Sequence, residues 1–254
     1  MPDRLRAALQ RRDGVHLVPY LMAGFPSGPA SVELGRRYAA AGAAAIEIGV
    51  PFSDPLADGP VIQRAGKAAL DGGMTLAGAL RVAAEVSEGG PPVVLMTYLN
   101  PVLSYGVEHL AKDAAAAGVA GIIVPDLPVD EAAAFLEPLR EQALDTVFLV
   151  APTSSADRIA AVGEQSRGFV YCVTVTGVTG ARNELGPGLF DLLQAVRAHT
   201  DIPVAAGFGI SRPEHVQALR GHVEAAVVAS ALMSEVLEGR DPGPLLHALV
   251  AAGQ

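Results

Sequence analysis

The chain has 254 residues, half of them hydrophobic and 18% charged, which is enough apolar material for a large core and argues against disorder. Its net charge of −9, with 18 Lys and Arg residues that form no run, excludes a nucleic-acid surface, since neutralising phosphates takes clustered cations. A single cysteine, Cys172, excludes an internal disulfide framework, and no Cys or His spacing resembles a zinc site; His215 and His222 are too far apart to share a helical turn, so no metal is expected.

The N-terminal "MPDRLRAALQRRDG" lacks the apolar centre of a signal peptide, and no uninterrupted apolar stretch is long enough to span a bilayer. A cytoplasmic protein without membrane contact is expected. Short apolar runs then recur, each closing in Gly, Pro, Asp or Ser. In chain order the expected strands are "HLVPYLMAG" (16–24), "AAIEIGV" (44–50), "PVVLMTY" (92–98), "GIIVPD" (121–126), "TVFLVAP" (146–152), "GFVYCVTV" (168–175), "IPVAAGFG" (202–209) and "AAVVAS" (225–230). Between them, segments such as "GPASVELGRRYAAAG", "GVEHLAKDAAAAG", "VDEAAAFLEPLREQ", "GLFDLLQAVRAHT" and "RPEHVQALRG" carry apolar residues at helical spacing and often stop at Gly.

Eight apolar strands alternating with helices imply a parallel sheet covered on both faces, and eight is the number that closes. The expectation is an α/β fold, a single (β/α)8 TIM barrel over residues 1–254, with an extra N-terminal helix and extended loops after strands 2 and 6. An open doubly wound sheet is the alternative, but no early GxGxxG follows the first strand. The long gap between the second and third strands implies extra structure there. Loops at the carboxyl ends of barrel strands carry the chemistry.

Alternation along the second strand puts Ala45, Glu47 and Gly49 on one face and Ile46, Ile48 and Val50 on the other. The isoleucine face suits the outer helices, which points Glu47 into the barrel near its catalytic end, beside small residues. The bland alternative is a buried glutamate satisfied by a backbone amide or a basic partner, but no Lys or Arg stands close by in the sequence and an unpaired buried carboxylate costs several kcal/mol. An interior carboxyl is expected to have a raised pKa, which suits a group that both donates and accepts protons. Asp58 in "LADGP" reads equally as a turn residue, and Asp54 and Ser53 as turn or helix-capping residues.

After the seventh strand comes "GFGIS" (207–211) and after the eighth "ASALM" (229–233), Gly-rich turns opening into helices at the two strand ends where this architecture binds phosphate. Ser230 could equally be a helix N-cap. The loop "TGVTGARNELGPG" (176–188), with threonines at 176 and 179, either closes over a substrate and expels water or is a plain surface loop.

Together "EIGVPFSDPLADGPVIQ", "TYLNPVLSYG", "VPDLPVDE", "APTSS", "GVTG" and "GFGIS" resemble, in order and over essentially the whole chain, the tryptophan synthase alpha subunit family. The resemblance implies a β/α barrel that cleaves indole-3-glycerol phosphate to indole and glyceraldehyde 3-phosphate, a retro-aldol reaction needing no metal or organic cofactor. It places the catalytic pair on Glu47 and Asp58, the glutamate moving protons and the aspartate accepting the indole N–H hydrogen bond. It further implies indole contacts at Tyr20, Met96 and Tyr171 with Phe208 nearby, phosphate contacts at Gly180, Gly209 and Ser230, and loop closure by Thr179. A pyridoxal-phosphate beta subunit is the implied partner in an alpha2beta2 complex, met through Pro51, Asp54, Pro55, Asn100 and Pro128. The pyridoxal cofactor would belong to that partner, as no Schiff-base lysine pattern is present here.

Two departures stand out. Many relatives have phenylalanine where Tyr20 stands, so the added hydroxyl needs a partner in the pocket. Some carry arginine where Val175 falls, and others a small residue before the phosphate serine where this chain has Ala229. The remaining alternatives are a free-standing lyase, a weakly catalytic subunit kept to activate its partner, and another phosphate-binding barrel such as a sugar-phosphate isomerase.

Overall fold

The computed structural model describes residues 3–10, 14–173, 188–207 and 209–254. Helix α1 (Arg4–Leu9) precedes the first strand, β1 (His16–Met22), and the chain then alternates through α2 (Gly28–Ala40), β2 (Ile46–Gly49), α3 (Pro60–Asp71), α4 (Leu76–Ser87), β3 (Val93–Met96), α5 (Leu99–Tyr105), α6 (Val107–Ala116) and β4 (Val119–Ile123). The second half contains α7 (Ala133–Glu141), β5 (Asp145–Val147), β6 (Leu149–Val150), α8 (Ala156–Gln165), β7 (Val170–Val173), α9 (Leu189–Arg197), β8 (Val204–Gly207), α10 (Pro213–Ala218), β9 (Ala225–Val228), α11 (Ser230–Leu237) and α12 (Gly243–Gly253). Local chemistry sets many of the boundaries. Ser27, Thr75 and Ser155 cap α2, α4 and α8 by accepting the N–H groups of Ala30, Gly78 and Arg158. Gly42 and Gly118, at φ of 93° and 73°, turn the chain just beyond α2 and α6.

All strand pairs are parallel, in the order β5-β4-β3-β2-β1-β9-β8-β7-β6. The two ends of that order are the two halves of one run. The expected fifth strand breaks at Phe148: its first half pairs with β4 (Gly121↔Asp145) and its second with β7 (Leu149↔Tyr171). Eight runs therefore appear as nine strands in a nearly closed barrel, and the Phe148 carbonyl still accepts the Tyr171 N–H across the break at 3.0 Å. The structure confirms the extra element after the second strand as two helices, α3 and α4. Helix α5, within "TYLNPVLSYG", was not expected from the sequence.

Outward side chains, such as Ile46, Ile48, Leu95, Ile122 and Cys172, pack under the helices, while inward ones fill the barrel. Leu5 and Leu9 of α1, both fully buried, join Val18, Ala45, Val94 and Phe169 in the interior. A short polar-faced helix thus closes the barrel's base with two leucines. Gly121 makes this possible, since a β-carbon there would come within 2.7 Å of Leu5 Cδ1. Closing the base leaves the opposite end, where the strands terminate, as the open mouth.

Leu5→Ala should remove this plug and lower the unfolding free energy by about 2–5 kcal/mol, the range for a buried leucine that leaves a cavity. Urea unfolding followed by circular dichroism measures it, and an unchanged midpoint would mean that α1 does not seal the base.

Candidate active site

Two carboxyl groups meet at the mouth of the barrel, and both arrive there through strand geometry. Tyr20 and Glu47 are Cα partners across β1 and β2, and Glu47 in turn pairs with Val94 of β3. Partners on adjacent parallel strands point the same way, so Tyr20 and Glu47 enter the interior side by side. Glu47 is 1% exposed, and its Oε2 has no hydrogen-bond partner among the described residues. The amide or basic partner of the bland reading is therefore missing from that oxygen. Burial first, and then the charge of Asp58, push the Glu47 carboxyl up to about 8, so it holds its proton at neutral pH.

Asp58 stands in the turn between β2 and α3. Its backbone does make that turn, its N–H donating to the Pro55 carbonyl at 3.3 Å and its own carbonyl accepting from Gln63 Nε2 at 2.9 Å. Its side chain does something else. Burial lifts the carboxyl to about 6, while a hydrogen bond donated by the Tyr98 hydroxyl opposes the rise. The same charge reaches Tyr20 and Tyr171, whose hydroxyls are held well above the usual phenol range by burial and by the two carboxylates. One acid protonated and a second ionised, beside each other, is the arrangement that separates acid and base roles.

Glycines make room for the aromatic walls. A β-carbon on Gly49 would run into the Tyr20 hydroxyl, and one on Gly207 into the Tyr171 ring, so each tyrosine leans over a gap in the neighbouring strand. Tyr20 and Tyr171 are 3% and 5% exposed, and Met96 lies half-buried at the end of β3 against the same interior clusters. The Tyr20 hydroxyl faces the Met22 sulfur at 3.8 Å, a weak acceptor.

Next to β1 on its other side run β9 and then β8; Gly209 turns the chain after β8 at φ 83°, and α11 begins at Ser230 directly after β9. The cap position of α11 falls on Ala229, with no side-chain cap, so the N-cap reading of Ser230 is corrected: it is the first helical residue, beside the uncapped amides. Ser211 N–H donates to His215 Nδ1 at 3.3 Å and braces the turn into α10. Phe208, Thr179, Gly180 and Val175 lie outside the described residues. Among the described residues, no group of three or more His, Cys, Asp and Glu side chains could hold a metal ion.

Around the rim, Asp54 and Asn100 are exposed and Pro55 and Pro128 half-exposed, but Pro51 is buried. Pro51 thus presents little surface of its own at the rim. The apolar surface there belongs instead to Leu56, 90% exposed, and Leu103, 62% exposed. Asp54 also accepts a hydrogen bond from Ser53 Oγ. Sequence reasoning missed Tyr98 and Phe52, whose rings pack at 5.3 Å between centroids. The signal available was an aromatic residue at a strand end in "TYLNP".

The sequence profile that describes the tryptophan synthase alpha chain matches residues 6–244. The tryptophan synthase alpha chain of Solibacter usitatus is 49% identical over 243 residues, 95% of this chain and 91% of the relative, and that of Roseiflexus castenholzii 48% identical over 94% and 91%. Among solved structures, a chain of tryptophan synthase from M. tuberculosis superposes with a TM-score of 0.91 at 37% identity, covering 100% of this chain and 99% of that one. A chain of the tryptophan synthase a2b2 complex from the hyperthermophile Pyrococcus furiosus gives 0.87 at 39% identity, covering 96% and 98%.

Folding raises the Glu47 carboxyl from 4.5 to about 8, so the native state keeps a proton that the unfolded chain releases. Stability is therefore intact below about 4.5 and falls as pH rises to about 8. Glu47→Gln escapes this loss, so relative to wild type it should gain a few kcal/mol of stability between those limits, read from urea midpoints across the pH range. A constant difference between the two proteins would mean that Glu47 titrates normally.

Proposed function

The chain belongs to the tryptophan synthase alpha chain family, and from that premise we propose that Glu47 and Asp58 carry its reaction, the cleavage of indole-3-glycerol phosphate to indole and glyceraldehyde 3-phosphate. The observation that supports this reading most is the pairing of a buried, protonated Glu47 with an ionised Asp58 at one barrel mouth.

Cleavage requires a proton on indole C3 and removal of the proton from the adjacent side-chain hydroxyl. Glu47 gives its proton to C3, which produces an indolenine with positive charge on the ring nitrogen. The carboxylate then takes the hydroxyl proton as the bond from C3 to the glycerol carbon breaks. The electron pair of that bond returns to the indole, the hydroxyl becomes the aldehyde, and Glu47 ends as it began. Asp58 accepts the indole N–H and stabilises the positive charge as it develops, a contribution that grows toward the transition state. Tyr20, Met96, Tyr171 and Phe208 receive the ring, and Gly180, Gly209 and Ser230 receive the phosphate, with the amides at the start of α11 as donors. Thr179 closes the loop over the site.

This chain's step uses neither a metal nor an organic cofactor; pyridoxal phosphate belongs to a beta subunit in an alpha2beta2 complex, and the pair works in tryptophan biosynthesis in the cytoplasm. The partner surface takes in Asp54, Pro55, Asn100 and Pro128 around the mouth, with the exposed Leu56 and Leu103 between them. No helix among the described residues is long and apolar enough to cross a membrane.

Indole release from indole-3-glycerol phosphate by the purified chain, with and without a beta subunit, tests the proposal. Slow cleavage accelerated by the partner is expected; absence of cleavage in both would overturn it. Glu47→Gln should lower kcat by about a hundredfold or more, the usual contribution of a positioned proton donor. The wild-type rate should be bell-shaped, falling below about 6 as Asp58 gains a proton and above about 8 as Glu47 loses one.

A further inference from the structure

Tyr98 lies outside the roles assigned so far, yet three interactions converge on it and a fourth on the next amide in the chain. The residue is 3% exposed at the start of α5. Its hydroxyl accepts the Ala57 N–H at 3.1 Å, the amide one residue before Asp58, and favours the ionised form of that acid. Its ring packs on Phe52. The next amide in the chain, Leu99 N–H, donates to Asp126 Oδ1 at 2.9 Å. One side chain and its neighbouring peptide thus join the segment after β2, the segment after β3 and the segment after β4.

We infer that Tyr98 is a positioning residue for Asp58, its hydroxyl setting the orientation of the carboxylate and tying it to three converging segments of the mouth. The inference rests on the reading of Asp58 as the group that stabilises the indole cation. The hydroxyl's hydrogen bonding is directional on both sides. It has one proton to give, and the Ala57 N–H occupies one of its lone pairs, so the O–H is left to point at the carboxylate. A carboxylate held by a buried hydroxyl needs no reorientation when charge appears on the ring, and reorganisation avoided in this way lowers the barrier. The Phe52 ring and the Asp126 bond fix the phenol in turn, which keeps the donor where the acid needs it. The hydrogen bond also favours the ionised form of Asp58 against burial. The other groups around it, Glu47 from β2, Tyr20 from β1 and Tyr171 from β7, are held protonated in the range where Asp58 titrates and leave that balance to burial and the hydroxyl.

Tyr98→Phe keeps the ring and its packing while removing the hydroxyl. Assayed on the full chain with its beta subunit, it should lower kcat for indole release by about tenfold to a hundredfold with KM little changed, the loss that goes with one hydrogen bond to a charged group. The acidic limb of its rate profile should move to higher pH, because Asp58 now holds its proton longer. Incorporating 3,5-difluorotyrosine at position 98, which keeps the hydroxyl and makes it a stronger donor, should move that limb the other way. A carbon-13 NMR titration of the Asp58 carboxyl in the full chain reads the same shifts without any turnover. If both replacements leave the Asp58 titration and the acidic limb where they stand in the wild type, the inference is overturned, even if kcat falls. If the wild-type chain releases no indole, the lyase reading fails, while the NMR titration still decides whether Tyr98 sets Asp58.

Discussion

A carboxyl group inside a barrel wall is the constraint around which the mouth is built. Glu47 cannot be solvated where β2 places it, and one of its oxygens has no partner among the described residues. A charge there is expensive, so the group holds a proton instead, and that is what suits it to protonate a carbon. The register that pairs Tyr20 with Glu47, and the glycines that let Tyr20 and Tyr171 lean across the neighbouring strands, surround the acid with rings and exclude water from it. The plug of Leu5 and Leu9 at the base has the same effect from below. Desolvation of a single side chain therefore depends on elements from nearly the whole chain.

Asp58 is set by different physics. It sits on a turn rather than in a strand, it is less deeply buried, and a neighbouring hydroxyl compensates part of the desolvation. The difference between the two environments separates their titration, so that at neutral pH one group can donate and the other can stabilise a cation. The glycine turn after β8 and the uncapped start of α11 supply a third kind of environment, amides without counter-charge, which suits an acidic protein that binds a phosphate.

Much of this was legible in the sequence because it depends on period. Alternation in "AAIEIGV" is enough to put Glu47 opposite two outward isoleucines, and the count of apolar runs is enough to expect closure. The break at Phe148 was not legible, since the run "TVFLVAP" is continuously apolar and only its two different neighbours, β4 and β7, divide it. Helix α5 was hidden by the proline in "TYLNP", which fits a first helical turn as readily as a loop. Pro51 was expected at the rim only through the family resemblance; between Val50 and Phe52 it is buried, which no linear pattern marks.

The sequence by itself determined the parallel barrel, the inward direction of Glu47, the placing of a glycine turn after β8 and, through its motifs, the family. Those features are local in period or in spacing, so a linear reading reaches them. Only the tertiary structure decided that Asp58 is held by Tyr98, that Glu47 lacks a partner, and that Leu56 and Leu103 rather than Pro51 form the apolar rim. Each of these is set by where segments 40 or more residues apart come to lie, or by what fails to lie beside a buried atom. Hydrogen bonding and desolvation act across space, and distance along the chain carries no record of either.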